Sequence, residues 1–230
     1  LLIAGCNAED SQSAVLKKTG KRSLTQKTME TVKFQTTDGV TIVGDFKRPS
    51  GAKKAVLLLH MMPEIRQSWI YLTGELNYIG FATLAIDLRG HGESIEMQKI
   101  GGAKQKLNYK NFSDAEHQAS RLDIDAAMNF LKSKGFAEKN ILIAGASIGA
   151  NLGVDAMYRY KEIPRGVSLS PGLDYRGVLT EPATKQLSAN QKVWIISAEG
   201  DEYSADSTKT LGALRPDIVK TTIAQGSDHG

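Results

Sequence analysis

Residues 55–60 read Ala-Val-Leu-Leu-Leu-His, an apolar run closed by a histidine. A strand with one wet face alternates apolar and polar side chains. A run that is apolar at every position belongs instead to a parallel strand covered on both faces. Comparable runs lie at 81–86, 141–145 and 192–197, with further strands at 167–170 and 219–224. Between them the spacing predicts helices over 67–79, with Trp69, Leu72, Leu76 and Ile79 along one face, over 113–133, from about 148 to 160, and over 204–214. Ser113 and Glu116 have capping-box spacing at the start of the second helix, and Gly135 closes it. Ahead of these units, two alternating runs flank Asp38-Gly39, a two-residue hairpin signal. Strand–helix repeats with short loops fold by right-handed crossovers onto a parallel sheet. The predicted fold class is therefore α/β: a mostly parallel sheet of about eight strands, helices on both faces, and an N-terminal β-hairpin.

At 230 residues the chain fits one domain, and its 41% hydrophobic and 23% charged residues are those of a globular protein. No stretch of eighteen apolar residues is present. The net charge of +4 is mild, and half of it comes from residues 1–30, so the rest is too diffuse for a nucleic-acid footprint. Cys6 is the only cysteine, which excludes an internal disulfide. Ile3-Ala4-Gly5-Cys6 resembles the lipobox of bacterial lipoproteins, where small residues precede a cysteine whose thiol is acylated. That resemblance implies a signal-peptide remnant over 1–6, lipidation of Cys6 and a membrane anchor. The polar stretch over 7–30 then reads as a tether, and 31–230 as the folded domain. With Asn7 rather than Asp after the cysteine, the lipoprotein pattern points to the outer membrane of a Gram-negative cell.

In an open parallel sheet, ligands bind beyond the carboxyl ends of the strands. The residues there are His60, Asp87, Ser147, Ser170, Asp201 and His229. Ser147 is the centre of Gly145-Ala146-Ser147-Ile148-Gly149, where a strand turns directly into a helix. Such an elbow presents a serine at the sheet edge, with glycines where side chains would strike the neighbouring strand and helix, and it aims the Ile148 N–H at a developing oxyanion. A serine hydroxyl needs an adjacent base, itself oriented by a third group. Of the four histidines, His60 ends a strand, His91 lies in a tight turn and His117 falls in the first turns of a helix. Only His229, in the loop after the last strand, gives the chain order serine, acid, histidine. Asp201 is the best-placed acid, with Asp174 in reserve.

The stretches LLLHMM, AIDLRGHGES, LIAGASIGANLG, LSPGLDYRG, ISAEGDEYS and GSDHG stand in the order of the α/β-hydrolase superfamily. Over 31–230 the chain resembles its bacterial serine esterases and dienelactone-hydrolase-like members. The resemblance implies a small-molecule ester substrate, a catalytic set of Ser147, Asp201 and His229, and an oxyanion hole formed by the Ile148 and Met62 N–H groups. Dienelactone hydrolases proper use a cysteine nucleophile, so the serine points to ester hydrolysis in general. Family members commonly have His-Gly where this chain has His60-Met61. His60, Met61 and Met62 either line an acyl pocket or simply pack. The family usually adds a helix after the histidine, so the chain reads as one truncated soon after His229 or as one whose base is loosely held.

The histidines are scattered without metal-ligand spacing, so no cofactor is implied. Lys99, Lys104, Lys106 and Lys110 make the 95–113 loop basic, either as a solvated loop or as an attractor of anionic substrates and headgroups. Residues 171–189 are too few for a large lid, which implies an open cleft for small to medium acyl groups. Acyl transfer, amide hydrolysis and a non-catalytic binding role on the same fold remain the alternatives.

Overall fold

The computed structural model describes residues 29–98 and 101–230. Cys6, the signal remnant over 1–6 and the tether as far as residue 28 lie outside the described residues. The described fold begins with an antiparallel hairpin, β1 (Glu30–Gln35) and β2 (Val40–Lys47). Its connection is four residues long rather than two, closed by the Thr36 N–H donating to the Val40 carbonyl at 2.9 Å. Asp38 sits in this turn, which the Gly39 N–H also closes by donating to the Thr36 carbonyl at 3.0 Å, and its carboxylate receives the Arg89 guanidinium at 2.8 and 3.1 Å.

β3 (Ala55–Leu59) leads into a 3-10 turn (Arg66–Trp69) and α1 (Ile70–Tyr78). The expected apolar face over 67–79 does not form. Trp69 is buried, but Leu72 and Ile79 are 39% and 64% exposed, and the helix buries Thr73 and Asn77 instead. The tighter winding around Trp69 shifts the phase of everything after it. Asn77 is held in place by donating its amide to the Phe81 carbonyl and the Thr83 hydroxyl, both at 3.0 Å.

After β4 (Ala82–Ile86), the expected basic loop folds partly as an antiparallel pair, β5 (Glu96–Gln98) and β6 (Lys104–Lys106). β5 adds to β2 through Val40 and Met97. Charged, exposed side chains hide these strands from pattern reading, as is usual at a sheet edge. The predicted helix over 113–133 is two helices, α2 (Asp114–Gln118) and α3 (Arg121–Ser133). Ser113 and Glu116 form the capping box. The break lets α2 set His117 against Phe112 at 5.4 Å while α3 lays Ile124, Ala127, Met128 and Leu131 on the sheet.

β7 (Ile141–Ala146), α4 (Ile148–Arg159) and β8 (Arg165–Leu169) follow. The span 171–189 holds a two-stranded hairpin, β9 (Asp174–Tyr175) and β10 (Val178–Leu179), then α5 (Glu181–Lys185). β11 (Lys192–Ala198), α6 (Glu202–Leu214) and β12 (Val219–Ala224) complete the chain.

The main sheet has ten strands rather than about eight, in the order β12-β11-β8-β7-β3-β4-β2-β5-β6, with β1 on β2. Six neighbouring strands, β12 through β4, run parallel. Leu57, Leu59, Ile86 and Ile143 face α3, α4 and α6 in one cluster. Val56, Leu58, Ala85, Ala144 and Ala146 form a second with Trp69 of the 3-10 turn, against which Leu76 of α1 packs. Each fully buried aliphatic side chain contributes about 1.5–3 kcal/mol of transfer free energy. Among the described residues no helix is long and apolar enough to cross a membrane.

Candidate active site

Ser147 stands at the junction of β7 and α4 with φ 53° and ψ −121°, a backbone conformation that costs an L-residue on the order of 1–3 kcal/mol. Three contacts hold it there. Its N–H donates to the Leu169 carbonyl on β8 at 2.9 Å, and its own carbonyl accepts the Ala150 and Asn151 N–H groups that start α4. The helix also approaches the sheet closely. A Cβ on Gly145 would strike the Gly149 carbonyl, and one on Gly149 would strike the backbone oxygens of Leu59 and His60. Glycine at both positions is what allows the elbow.

His229 bridges the other two residues. Its Nε2 lies 2.8 Å from the Ser147 Oγ and its Nδ1 lies 2.6 Å from the Asp201 Oδ2. The carboxylate can only accept, so Nδ1 carries the proton and Nε2 is left as the acceptor for the serine hydroxyl. Burial works against a charge on Asp201. The Ser204 hydroxyl and the His229 imidazole, with the Ser204 N–H, outweigh it and hold the carboxyl below its usual range. Asp174, the reserve acid, is exposed and accepts the Gly177 N–H at 2.7 Å in the β9–β10 turn.

His60 does not line a pocket: it is fully buried. Its Nε2 accepts the Leu88 N–H at 3.0 Å, so Nδ1 must donate to the Met61 carbonyl, 2.8 Å away. This fixes the plane of the Met61–Met62 peptide and turns the Met62 N–H away from His60. Burial depresses the His60 pKa to about 4, keeping the ring neutral. Met61 and Met62 are half-buried, packed against the clusters on opposite faces of the sheet. Among the described residues neither the Met62 nor the Ile148 N–H has an acceptor within the protein. Asp87 is structural. It accepts the Arg66 and Glu93 N–H groups at 2.8 and 2.9 Å and pairs with the Arg66 guanidinium, tying down the far end of the 60–66 loop. His91, buried, stacks on Tyr109 at 3.8 Å, and His117 is buried against Phe112. Among the described residues no three His, Cys, Asp or Glu side chains cluster as a metal site.

A family model described as serine aminopeptidase, S33 matches residues 50–204, about two thirds of the chain. The chain belongs to this family of α/β hydrolases. The matched span contains Ser147 and Asp201 and stops before His229. The fold is similar to an acetyl xylan esterase from Paenibacillus (TM-score 0.71, 13% identity, 92% of this chain and 81% of that one). It is also similar to an esterase from Pyrococcus furiosus (0.67, 18%, 86% and 82%) and a dienelactone hydrolase from Anabaena variabilis (0.65, 17%, 87% and 86%). No curated protein sequence matches the chain.

In this hydrolase two residues beside the site escape sequence reading. Tyr175 on β9 sets its ring against His229 with centroids 6.0 Å apart at 90°, and its hydroxyl lies 3.1 Å from the Ser204 Oγ. Burial first of all raises the Tyr175 phenol above its usual value, so it stays protonated. Their one signal was position: Tyr175 follows the strand that ends at Leu169, and Ser204 follows Asp201 by one helical turn.

Proposed function

We propose that this α/β hydrolase cleaves carboxylic esters with small to medium acyl groups through an acyl-enzyme. The observation that carries this reading is the single imidazole of His229 bonded to Ser147 on one side and to Asp201 on the other. Ser147 Oγ attacks the carbonyl carbon while His229 Nε2 takes its proton. The tetrahedral oxyanion is received by the N–H groups of Ile148 and Met62, each worth on the order of 3 kcal/mol in the transition state. Collapse expels the alkoxide, which takes the proton from Nε2. Water then repeats the sequence, attacking the acyl carbon with His229 as base and releasing the acid and Ser147. Asp201 holds the imidazole in the required tautomer and faces the positive charge it acquires. The β9–β10 hairpin and α5 leave the approach without a large cap, which favours short acyl groups over long lipid chains.

The test is labelling by a fluorophosphonate probe together with turnover of p-nitrophenyl esters of graded chain length. Labelling that disappears in Ser147→Ala, with kcat/KM highest for short acyl groups, is the expected result. A folded wild type that is neither labelled nor active on any ester would sink the reading. The family description favours one alternative, cleavage of N-terminal residues from peptides. Higher kcat/KM on aminoacyl anilides than on esters would establish that instead.

We also propose that Cys6 carries a lipid anchor and that residues 7–30 tether the hydrolase to a bacterial envelope membrane, the periplasmic face of the outer membrane in a Gram-negative cell. The lipobox-like Ile3-Ala4-Gly5-Cys6 motivates this. Cys6→Ser should release the protein from membranes; a wild type that fractionates free of membranes and incorporates no labelled fatty acid would refute the anchor.

A further inference from the structure

The nucleophile and the base differ in how they are held. Residues 225–230 after β12 are exposed apart from the half-covered His229, whose side chain is 36% accessible. The backbone of this tail is attached by the Gly226 carbonyl accepting the Gly200 N–H at 2.9 Å, and by the Gly230 N–H donating to the Ser170 Oγ at 3.0 Å. Neither bond fixes the imidazole ring. Beside its bonds to Ser147 and Asp201, the imidazole meets the Tyr175 ring edge-on.

The hairpin that carries Tyr175 is anchored to two helices. Asn151, fully buried in the first turn of α4, donates its amide to the Val178 carbonyl at 2.7 Å and accepts the Gly172 N–H at 3.1 Å, clamping β10 and the segment leading into β9 to the elbow's own helix. The Tyr203 hydroxyl, at the start of α6, meets both the N–H and the carbonyl of Asp174 at 3.0 Å. The Ser207 Oγ accepts the Leu173 N–H at 3.1 Å. The Tyr203 ring packs against Tyr175 at 5.6 Å and 70°, and the Tyr175 hydroxyl reaches Ser204 in the turn that follows Asp201. Gly172 makes room for this pair: a Cβ there would lie 2.6 Å from Tyr203 and 2.9 Å from Tyr175.

We propose that Tyr175 is a positioning residue for His229, the middle member of an aromatic series, Tyr203, Tyr175 and His229, that links the imidazole to α4 and α6. This rests on the proposed role of His229 in ester hydrolysis. The ring supplies the contact. The hydroxyl fixes the ring through its hydrogen bond with Ser204, the same residue that supports the charge on Asp201, and it also interacts with the Ser147 side chain. Removing the ring leaves the imidazole free to swing out of line with Ser147, and small misalignments of a reacting group cost up to about 100-fold in rate.

The experiment compares wild type, Tyr175→Ala and Tyr175→Phe by p-nitrophenyl ester kinetics, thermal unfolding and the downfield proton NMR signal of the His229 Nδ1–H bonded to Asp201. Tyr175→Ala should lower kcat roughly 30-fold with KM changed by less than about threefold, and should broaden the downfield proton. Tyr175→Phe keeps the ring, so it should retain the signal and stay within roughly fivefold of wild-type kcat. This rescue separates positioning from general destabilisation, which would lower the unfolding temperature without the kcat-specific loss. A folded Tyr175→Ala with wild-type kcat and a sharp downfield proton overturns the proposal while leaving ester hydrolysis standing. If the wild type turns over no ester but Tyr175→Ala still loses the signal that Tyr175→Phe keeps, the proposed function falls and the positioning role is upheld.

Discussion

The elbow around Ser147 and the tail around His229 place two partners 2.8 Å apart by opposite means. At the elbow, position follows from backbone alone: a strand, a helix, one inter-strand hydrogen bond and two glycines whose surroundings admit no side chain. The strain at Ser147 persists because the sheet on one side and α4 on the other over-determine it. Among the described residues no helix or strand follows Ala224, and the His229 imidazole meets side chains from other elements, Asp201 and Tyr175. Changes at the elbow should therefore cost folding, and changes around the tail should cost rate while leaving the fold intact.

The largest effect tests the tail. Asp201→Asn preserves shape but replaces an acceptor with an amide that can present its own N–H to Nδ1, favouring the wrong tautomer. A fall in kcat of roughly 10³–10⁴-fold is expected, with an unfolding temperature close to wild type. If the variant instead unfolds, Asp201 belongs to the structural half of the comparison. The elbow responds to Gly149→Ala. Its Cβ would meet the backbone oxygens of Leu59 and His60, which cannot rotate away, so a loss of about 3 kcal/mol or more in denaturant unfolding is expected. A fully stable but inactive Gly149→Ala would show that α4 can retreat from β3 and that the elbow is less determined than its contacts imply.

The same contrast explains what the sequence disclosed. β3, β4, β7 and α4 were legible because burial on both faces writes continuous apolar runs, and because an elbow demands Gly145 and Gly149 at fixed spacing. Ser147 reads as a nucleophile candidate only with the strand before it, the helix after it and the later Asp201 and His229 in chain order. His229 and Asp201 came from chain order and from the family resemblance, since nothing local marks a loop histidine as a base. Tyr175 was missed because its importance lies in a contact with a residue 54 positions on, across a hairpin two residues per strand long. β5 and β6 were missed because edge strands need no apolar pattern. Leu72 and Ile79 misled because a 3-10 turn moved the helical phase. Of the two readings open for His60, pocket lining and packing, the structure takes packing, with both ring nitrogens engaged by the backbone.

Acid should loosen the elbow side first. The unfolded chain protonates His60 as the pH falls through the ordinary histidine value of 6.5, whereas the folded chain does so only near 4, because burial disfavours the charged ring. Between those values the unfolded form binds more protons. The contribution is thus fully present above about 6.5 and is lost as the pH falls toward 4, amounting to up to about 3 kcal/mol. His91, pressed down to about 4 by burial and by His60, acts in the same direction. Once protonated, the His60 Nε2 becomes a second donor facing the Leu88 N–H, and the peptide that aims the Met62 N–H loses its support. Denaturant unfolding followed from pH 7 to 4 measures the slope; a flat profile would mean that both rings find compensation in the folded state.

The smallest effect is the most discriminating for the tail. Ser170→Ala removes the hydroxyl that accepts the Gly230 N–H, a bond worth about 1 kcal/mol, and little else of the tail's attachment. If that bond helps to place His229, kcat should fall about fivefold with KM and unfolding temperature nearly unchanged. Ser170 has φ 46°, so alanine inherits a strained backbone and glycine relieves it. Ser170→Gly should then be the more stable of the two variants yet equally slow, because both lack the acceptor. Should either retain wild-type kcat, the Gly230 bond is dispensable. The placement of the base would then rest on Asp201 and the Tyr175 ring, narrowing the contrast between elbow and tail to a pair of side chains.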